Sequence, residues 1–296
     1  MEVIRLSQEQ FNNLKPISLP KEVFNSESDV YELDHLGEKK VLKTIFTPNE
    51  ELYKNKLYTI NKLNEHKDIL PRSFCIPDYL TTIDGEIFGF TTPHYPGINL
   101  ATILKNTKLP IEEHLYYLKL IGNLLNELKN IRQNSELKDI YINDLHESNF
   151  IVNPFKKEIG VVDLDSCKIG NNYSFVARYL SPFSIIAEVD KKYIKNNGIT
   201  SGPGYIKADE NTDIYCYIML ILNYFTNGFI SRFSLQRFND YLNFLNELKI
   251  NKELLDIIEL IIKQEPNLNP VDYLDTLSEK QITEIKENTK KFLKIK

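Results

Sequence analysis

The chain has 296 residues, 42% hydrophobic and 26% charged, the make-up of an ordinary soluble protein with length for about two domains and a sizeable core. A net charge of −5 gives no electrostatic case for nucleic acid or an anionic membrane as partner. Cys75, Cys167 and Cys216 are odd in number and lack metal-ligand spacing, so reduced thiols and a cytoplasmic location are expected. The opening MEVIRLSQEQF lacks the apolar core of a signal peptide, and the richest apolar segment, 214–225, is too short to span a bilayer and studded with tyrosine.

In chain order, residues 1–97 read as strand-rich with one helix. Residues 29–33 alternate, a turn follows at Leu36-Gly37-Glu38, and 40–46 reads as the next strand. A helix is expected over 48–63, with Thr47 as N-cap, Pro48 at the first helical position and Glu50 and Glu51 in the first turn. Leu52, Leu57, Ile60 and Leu63 give it a partial apolar stripe. Asp84-Gly85 marks a hairpin between strands at 76–80 and 87–91. Thr92-Pro93-His94-Tyr95-Pro96-Gly97 then suits an interdomain connector. The boundary is placed between Gly97 and Ala101, giving units of 1–97 and 98–296. Beyond it the pattern turns helical: Leu115, Leu118, Ile121, Leu125 and Leu128 recur at helical spacing within 112–132, with His114 a structural member of that helix. Residues 235–262 and 271–293 are also expected to be helical.

The most informative stretch is 141–165, YINDLHESNFIVNPFKKEIGVVDLD. It reads as a turn carrying Asp144 and Asn149, a strand at 150–152, a polar turn through Asn153, Pro154 and Lys156, and a strand at 159–162 ending on Asp163. A hairpin brings its two ends together. Asp144, Asn149 and Asp163 should therefore meet at one mouth, although the last two lie fourteen positions apart. Crowded carboxylates repel, and a hard cation such as Mg²⁺ relieves them, taking one or two protein oxygens and filling its other positions from water and phosphate. Asn149 and Asp163 suit the ligand role, and Asp144 could accept a proton from an attacking hydroxyl. For the six-residue loop taken alone, a surface hairpin with ordinary turn residues accounts for the pattern equally well.

Asp144-Leu145-His146-Glu147-Ser148-Asn149 resembles the catalytic-loop pattern D-L-x-x-x-N of the protein-kinase-like superfamily, and Asp163-Leu164-Asp165 stands where that family has D-F-G. The resemblance implies a bilobal α+β fold, with a small β-rich N-lobe carrying one helix over 1–97 and a larger helical C-lobe over 98–296. It implies transfer of the γ-phosphoryl group of Mg-ATP to a hydroxyl, with Asp144 as base and Asn149 and Asp163 holding magnesium. Val41-Leu42-Lys43 is similar to the family's V-A-I-K strand, which makes Lys43 the phosphate-contacting lysine. The backbone of Pro93 to Tyr95 would hold adenine. The family's helix glutamate aligns near Lys56, so Glu51, one turn away, is the nearest candidate partner of Lys43; charge at a helix N-terminus accounts for Glu50 and Glu51 without function.

Several departures shape the expectation. Phe24-Asn25-Ser26-Glu27-Ser28-Asp29, at the phosphate-covering loop, has no glycine. Ile142-Asn143 replaces His-Arg, and His146 replaces a lysine, which is similar to small-molecule kinases of the aminoglycoside and choline type. Ser201-Gly202-Pro203-Gly204-Tyr205-Ile206 looks like the end of an activation segment, and Asp213-Ile214-Tyr215 resembles a buried motif whose Asp braces the catalytic loop. Without the family, those residues read as a turn before a helix capped by Thr212 or Asp213. The glutamate ending the segment is shifted to Asp209 or Glu210, and its arginine partner, expected near 264–270, is missing. The resemblance favours a protein Ser or Thr as acceptor. The alternatives are a small-molecule kinase and a pseudokinase acting as a binding or regulatory module.

Overall fold

The computed structural model describes residues 1–18, 28–45, 50–170, 172, 174–175, 205–206, 209–230, 233–249 and 278–294. Expectations resting on 24–27, on Thr47 and Pro48, on Ser201 to Gly204 and on 250–277 lie outside these residues.

The chain is α+β. One sheet contains β1 (Glu2–Leu6), β2 (Lys15–Pro16), β3 (Val30–His35), β4 (Glu38–Thr44), β5 (Tyr79–Ile83) and β6 (Glu86–Pro93), in the order β1-β5-β6-β4-β3-β2. Two tight turns fix its registers. Leu36-Gly37 (φ 53° and 81°) and Asp84-Gly85 (φ 51° and 88°) take left-handed backbone at both positions, matching the twist of the strands they join. Strand β1 pairs parallel to β5, Glu2 opposite Tyr79, and a parallel partner leaves no hairpin signal in the sequence. Helix α1 (Gln8–Asn12) follows it behind a reciprocal cap, in which Ser7 Oγ accepts from the Gln10 N–H and Gln10 Oε1 from the Ser7 N–H.

The two faces of the sheet bury different partners. Phe11 of α1 packs edge-on against Tyr31 and Phe88, over a cluster of Ile4, Leu33 and Leu42. Helix α2 (Glu50–Glu65) buries Ile60 with Leu80 and Phe90. Side chains alternate along β4, so Leu42 belongs to the first cluster while Lys43 lies across from Phe90 in register and over its ring, on the α2 side.

After Pro93 the chain leaves this sheet. Strand β7 (Ile98–Asn99) pairs with β9 (Phe150–Asn153), which pairs in turn with β10 (Glu158–Val161) in a second, three-stranded sheet. The expected hairpin is β9–β10. Helices α3 (Leu100–Lys105) and α4 (Ile111–Asn134) follow. Two short ladders come next, β8 (Ile140–Tyr141) with β11 (Lys168–Ile169) and β12 (Ser174–Phe175) with β13 (Tyr205–Ile206). Helices α5 (Glu210–Phe225), α6 (Leu235–Glu247) and α7 (Glu279–Lys294) complete the described chain.

Residues 214–222 of α5 are buried on every side, packed with α4 residues such as Leu118, Ile121 and Leu125 in the main core. A helix apolar all round is a central one, which accounts for the richest apolar segment of the sequence. Among the described residues no helix is long and apolar enough to cross a membrane.

Candidate functional site

The loop between β8 and β9 is fixed from below by α5. Asp213, in the first turn of that helix, accepts hydrogen bonds from the N–H groups of Ile142 (2.9 Å) and Asn143 (2.6 Å). Two consecutive loop amides are thereby bound to one buried carboxylate. Burial pushes the Asp213 pKa up to about 6, against the lowering effect of the two N–H donors. Asn143 takes the left-handed region (φ 65°), which asparagine adopts at little cost, and Asp144 follows. The cap of α5 is Asp209, whose carboxylate accepts from Thr212 N–H at 3.0 Å; Thr212 and Asp213, the expected caps, lie inside the helix.

Asp144 is steadied by two neighbours. Asn149 Nδ2 donates to its carbonyl (2.9 Å) and to Oδ2 (3.2 Å), and His146 Nε2 lies 3.4 Å from the same Oδ2. His146 Nδ1 accepts the Ser148 N–H, so the neutral ring carries its proton on Nε2, facing Asp144. Because Asn149 directs its amide nitrogen at Asp144, its Oδ1 is the atom left for a cation. The Asn149 carbonyl accepts the Val162 N–H at 2.9 Å, joining the two ends of the hairpin.

Beyond β10 the backbone turns sharply at Asp163, again left-handed (φ 63°, ψ 44°), and a single 3₁₀ turn carries Leu164 to Ser166. Lys43 Nζ, from β4, pairs with Asp163 Oδ1 and sits 2.6 Å from Asp165 Oδ1. Lys56 Nζ, from α2, approaches Asp165 Oδ2 at 3.1 Å. Asp165 is 1% exposed and Lys56 3%, whereas Asp163 is 37% exposed. Burial opposes charge at Asp165, but Lys43 and Lys56 outweigh it and hold the carboxyl well below the usual carboxylate range. At Asp163 burial dominates and raises the pKa to about 6, with Lys43 opposing and Asp165 adding to the rise. For Lys43, too, burial disfavours the ammonium, and the two aspartates more than offset it, raising its pKa. A strand lysine and a helix lysine are thus drawn to one anionic turn.

The connector closes another side. The Pro93 position pairs with Lys40 across β4–β6, and the His94 N–H donates to the Lys39 carbonyl at 3.2 Å. The ring of Tyr95 lies on Gly160 of β10, so closely that an added Cβ there would come within 2.6 Å of it. At Gly97 a Cβ would fall 2.2 Å from the Val152 carbonyl oxygen. Both glycines let the connector lie directly on the hairpin.

The expected site residues divide accordingly. Asp144 and Asn149 are hydrogen-bonded, Lys43 and Asp163 are ion-paired, and the hairpin ladder links the two pairs. Pro93 and Tyr95 lie on the connector. Glu51 is exposed in the first turn of α2, and the helix side chain that reaches the cluster is Lys56, a cation where the resemblance implied a carboxylate. Sequence reasoning also passed over Asp165 as a partner of Lys43; the available signal was the second acid of Asp163-Leu164-Asp165. Glu210 is met instead from α4: Arg132 Nη2 lies 3.4 Å away and Lys129 Nζ 3.5 Å.

For magnesium, the donor chemistry fits. The Asn149 and Asp163 side-chain oxygens are hard donors, and two suffice when phosphate and water complete the octahedron. Among the described residues no group of three or more His, Cys, Asp or Glu is arranged to hold a metal. No protein-family model matches the chain, and neither does any curated protein.

Proposed function

We propose that the chain is an ATP-dependent phosphotransferase with a bilobal protein-kinase-like fold, moving the γ-phosphoryl group of Mg-ATP to a hydroxyl, with Ser or Thr of a protein as acceptor. The observation that carries this reading is the pairing of Lys43 with Asp163 across 120 sequence positions. A strand lysine and a post-hairpin aspartate have no shared local role. Their joint use is to hold the two ends of one anionic ligand, phosphate at the ammonium and its cation at the carboxylate.

In this reading Asp144 receives the hydroxyl proton, oriented by Asn149 and the His146 Nε2–H. Asn149 and Asp163 would hold magnesium, which neutralises charge on the phosphates when bound. Lys43 positions those phosphates, the Pro93 to Tyr95 backbone meets adenine, and the Asp213 bonds keep the loop from shifting as substrate binds. His146 favours a second acceptor class, a small-molecule hydroxyl, because an imidazole stands where protein Ser/Thr kinases typically have a lysine.

The test is nucleotide-dependent stability and turnover. Mg-ATP at 100 times its Kd should stabilise the protein by about 2.7 kcal/mol. Asp144→Asn should then bind nucleotide normally while turnover drops about 10²–10⁴-fold. A melting curve unmoved by Mg-ATP, together with no turnover, would leave a binding or regulatory module in place of the enzyme.

A further inference from the structure

Lys43 is gripped by two carboxylates that differ in exposure: Asp163 is partly exposed and Asp165 is not. A cation arriving with phosphate competes for the exposed one. Lys43 cannot keep its bond to Asp163 unchanged while that carboxylate serves a divalent ion, so a lysine held by Asp163 alone would be released as the ligand entered. Asp165 lies out of that competition. It is 1% exposed, lies 2.6 Å from Lys43, and has its other oxygen engaged by Lys56 at 3.1 Å. Lys56 in turn is 3% exposed, deep on the sheet-facing side of α2 beside the buried Thr59 and Ile60. A lone buried aspartate between two elements would be costly, as would a lone buried lysine, and each cancels the other.

We propose that Asp165 and Lys56 are positioning residues that form a charge-inverted clamp, keeping Lys43 aimed at the phosphates once Asp163 is given over to the cation. The clamp rests on the phosphotransferase reading and deepens it by assigning the task of a helix carboxylate to a turn carboxylate backed by a helix lysine. Asp163 is the exchangeable half of the grip and Asp165 the permanent half. Because Lys56 supplies the second positive charge, α2 must stay docked on the post-hairpin turn for the grip to hold, and docking of α2 becomes coupled to nucleotide affinity.

The experiment measures Kd for magnesium with a non-hydrolysable ATP analogue by calorimetry, alongside the melting temperature of the ligand-free protein. Asp165→Asn should weaken nucleotide binding about 10–100-fold, the worth of one charge-assisted hydrogen bond. Lys56→Met, which leaves Asp165 intact, should weaken it about 3–10-fold and keeps the question open if the first variant does not fold. The decisive pair is Lys56→Glu with Asp165→Gly, which restores a direct carboxylate on α2 for Lys43. Each single change should weaken binding, and the double should recover to within about threefold of the parent, because partners in one network are not additive. Singles that lower only the melting temperature, with Kd unchanged, would overturn the clamp and leave a structural ion pair. A double variant no better than its worse parent would overturn it too. A parent protein that binds no nucleotide is a separate outcome: it defeats the phosphotransferase reading itself before any variant is compared.

Discussion

Two lysines on strand β4, three residues apart and on opposite faces of the sheet, each hold two carboxylates. Lys40 takes Glu38 (2.6 Å) and Asp78 (2.8 Å), only 2 and 38 positions away, and both belong to the same sheet or its immediate approach. Lys43 takes Asp163 and Asp165, 120 and 122 positions away, beyond the second sheet. Asp78 is also held by the Thr91 hydroxyl at 2.5 Å, so the Lys40 set closes on itself. The Lys43 set is closed only by Lys56 on one side and leaves a partly exposed carboxylate on the other. A local ion pair secures a register that the ladder already specifies. A distant one ties the sheet to the turn after the hairpin, beside the backbone bonds of Ser73 and Cys75 to Val161, and its open side is where a ligand can enter.

The sharpest way to break the comparison is Asp163→Asn. Turnover should fall by at least about 10²–10³-fold, read by ATP consumption, while the melting temperature changes little because Lys43 keeps Asp165. Equal activity would reject the metal assignment. Asp213→Asn asks whether distance alone confers the same kind of role, since its bonds also span about 70 positions. Asparagine offers one acceptor oxygen and turns an NH₂ toward the other amide, so a stability loss of about 1–3 kcal/mol is expected in denaturant melts. Retained stability would show the brace to be dispensable.

The pH dependence follows from Asp163. Its pKa is raised to about 6, chiefly by burial, and a cation requires the ionised form. Nucleotide affinity in magnesium should therefore be flat above 6 and fall toward about tenfold per unit below it, by calorimetry across pH 5–8. The stability of the ligand-free protein carries the opposite sign. A raised acid takes up its proton more readily folded than unfolded, so this contribution is complete below about 4 and lost as pH rises through about 6. The smallest effect belongs to Lys40→Met: about 1 kcal/mol of stability, with turnover within about twofold, since Glu38 is exposed and Asp78 keeps its bond from the Thr91 hydroxyl. A large activity loss from that variant would erase the distinction between the two lysines.

What the sequence made legible was local chemistry in a recognisable order. The β9–β10 hairpin announces itself by two apolar runs around Asn153-Pro154, and Asp144, Asn149 and Asp163 sit at its ends. Asp213 was found by its place before Ile214 and Tyr215, and its carboxylate does bind the loop. What stayed hidden depended on partners far away in the chain. Strand β1 pairs with β5 in parallel, Lys56 meets Asp165 across 109 positions, and Arg132 meets Glu210 across 78. None of these leaves a periodicity. The helix α1 was missed although Ser7-Gln8-Glu9-Gln10 carries a capping-box spacing, because five residues are too few to show an apolar stripe.

The left-handed backbone at Asp163 has one more implication. Position 163 is constrained twice: the φ of 63° admits glycine, asparagine and aspartate far more easily than other residues, and the pairing with Lys43 demands an anion. Glycine would relax the chain and forfeit the charge; glutamate would keep the charge and strain the chain. Aspartate is the residue type on which the two requirements intersect, so a shape preference and a charge preference reinforce each other at one position of the fold.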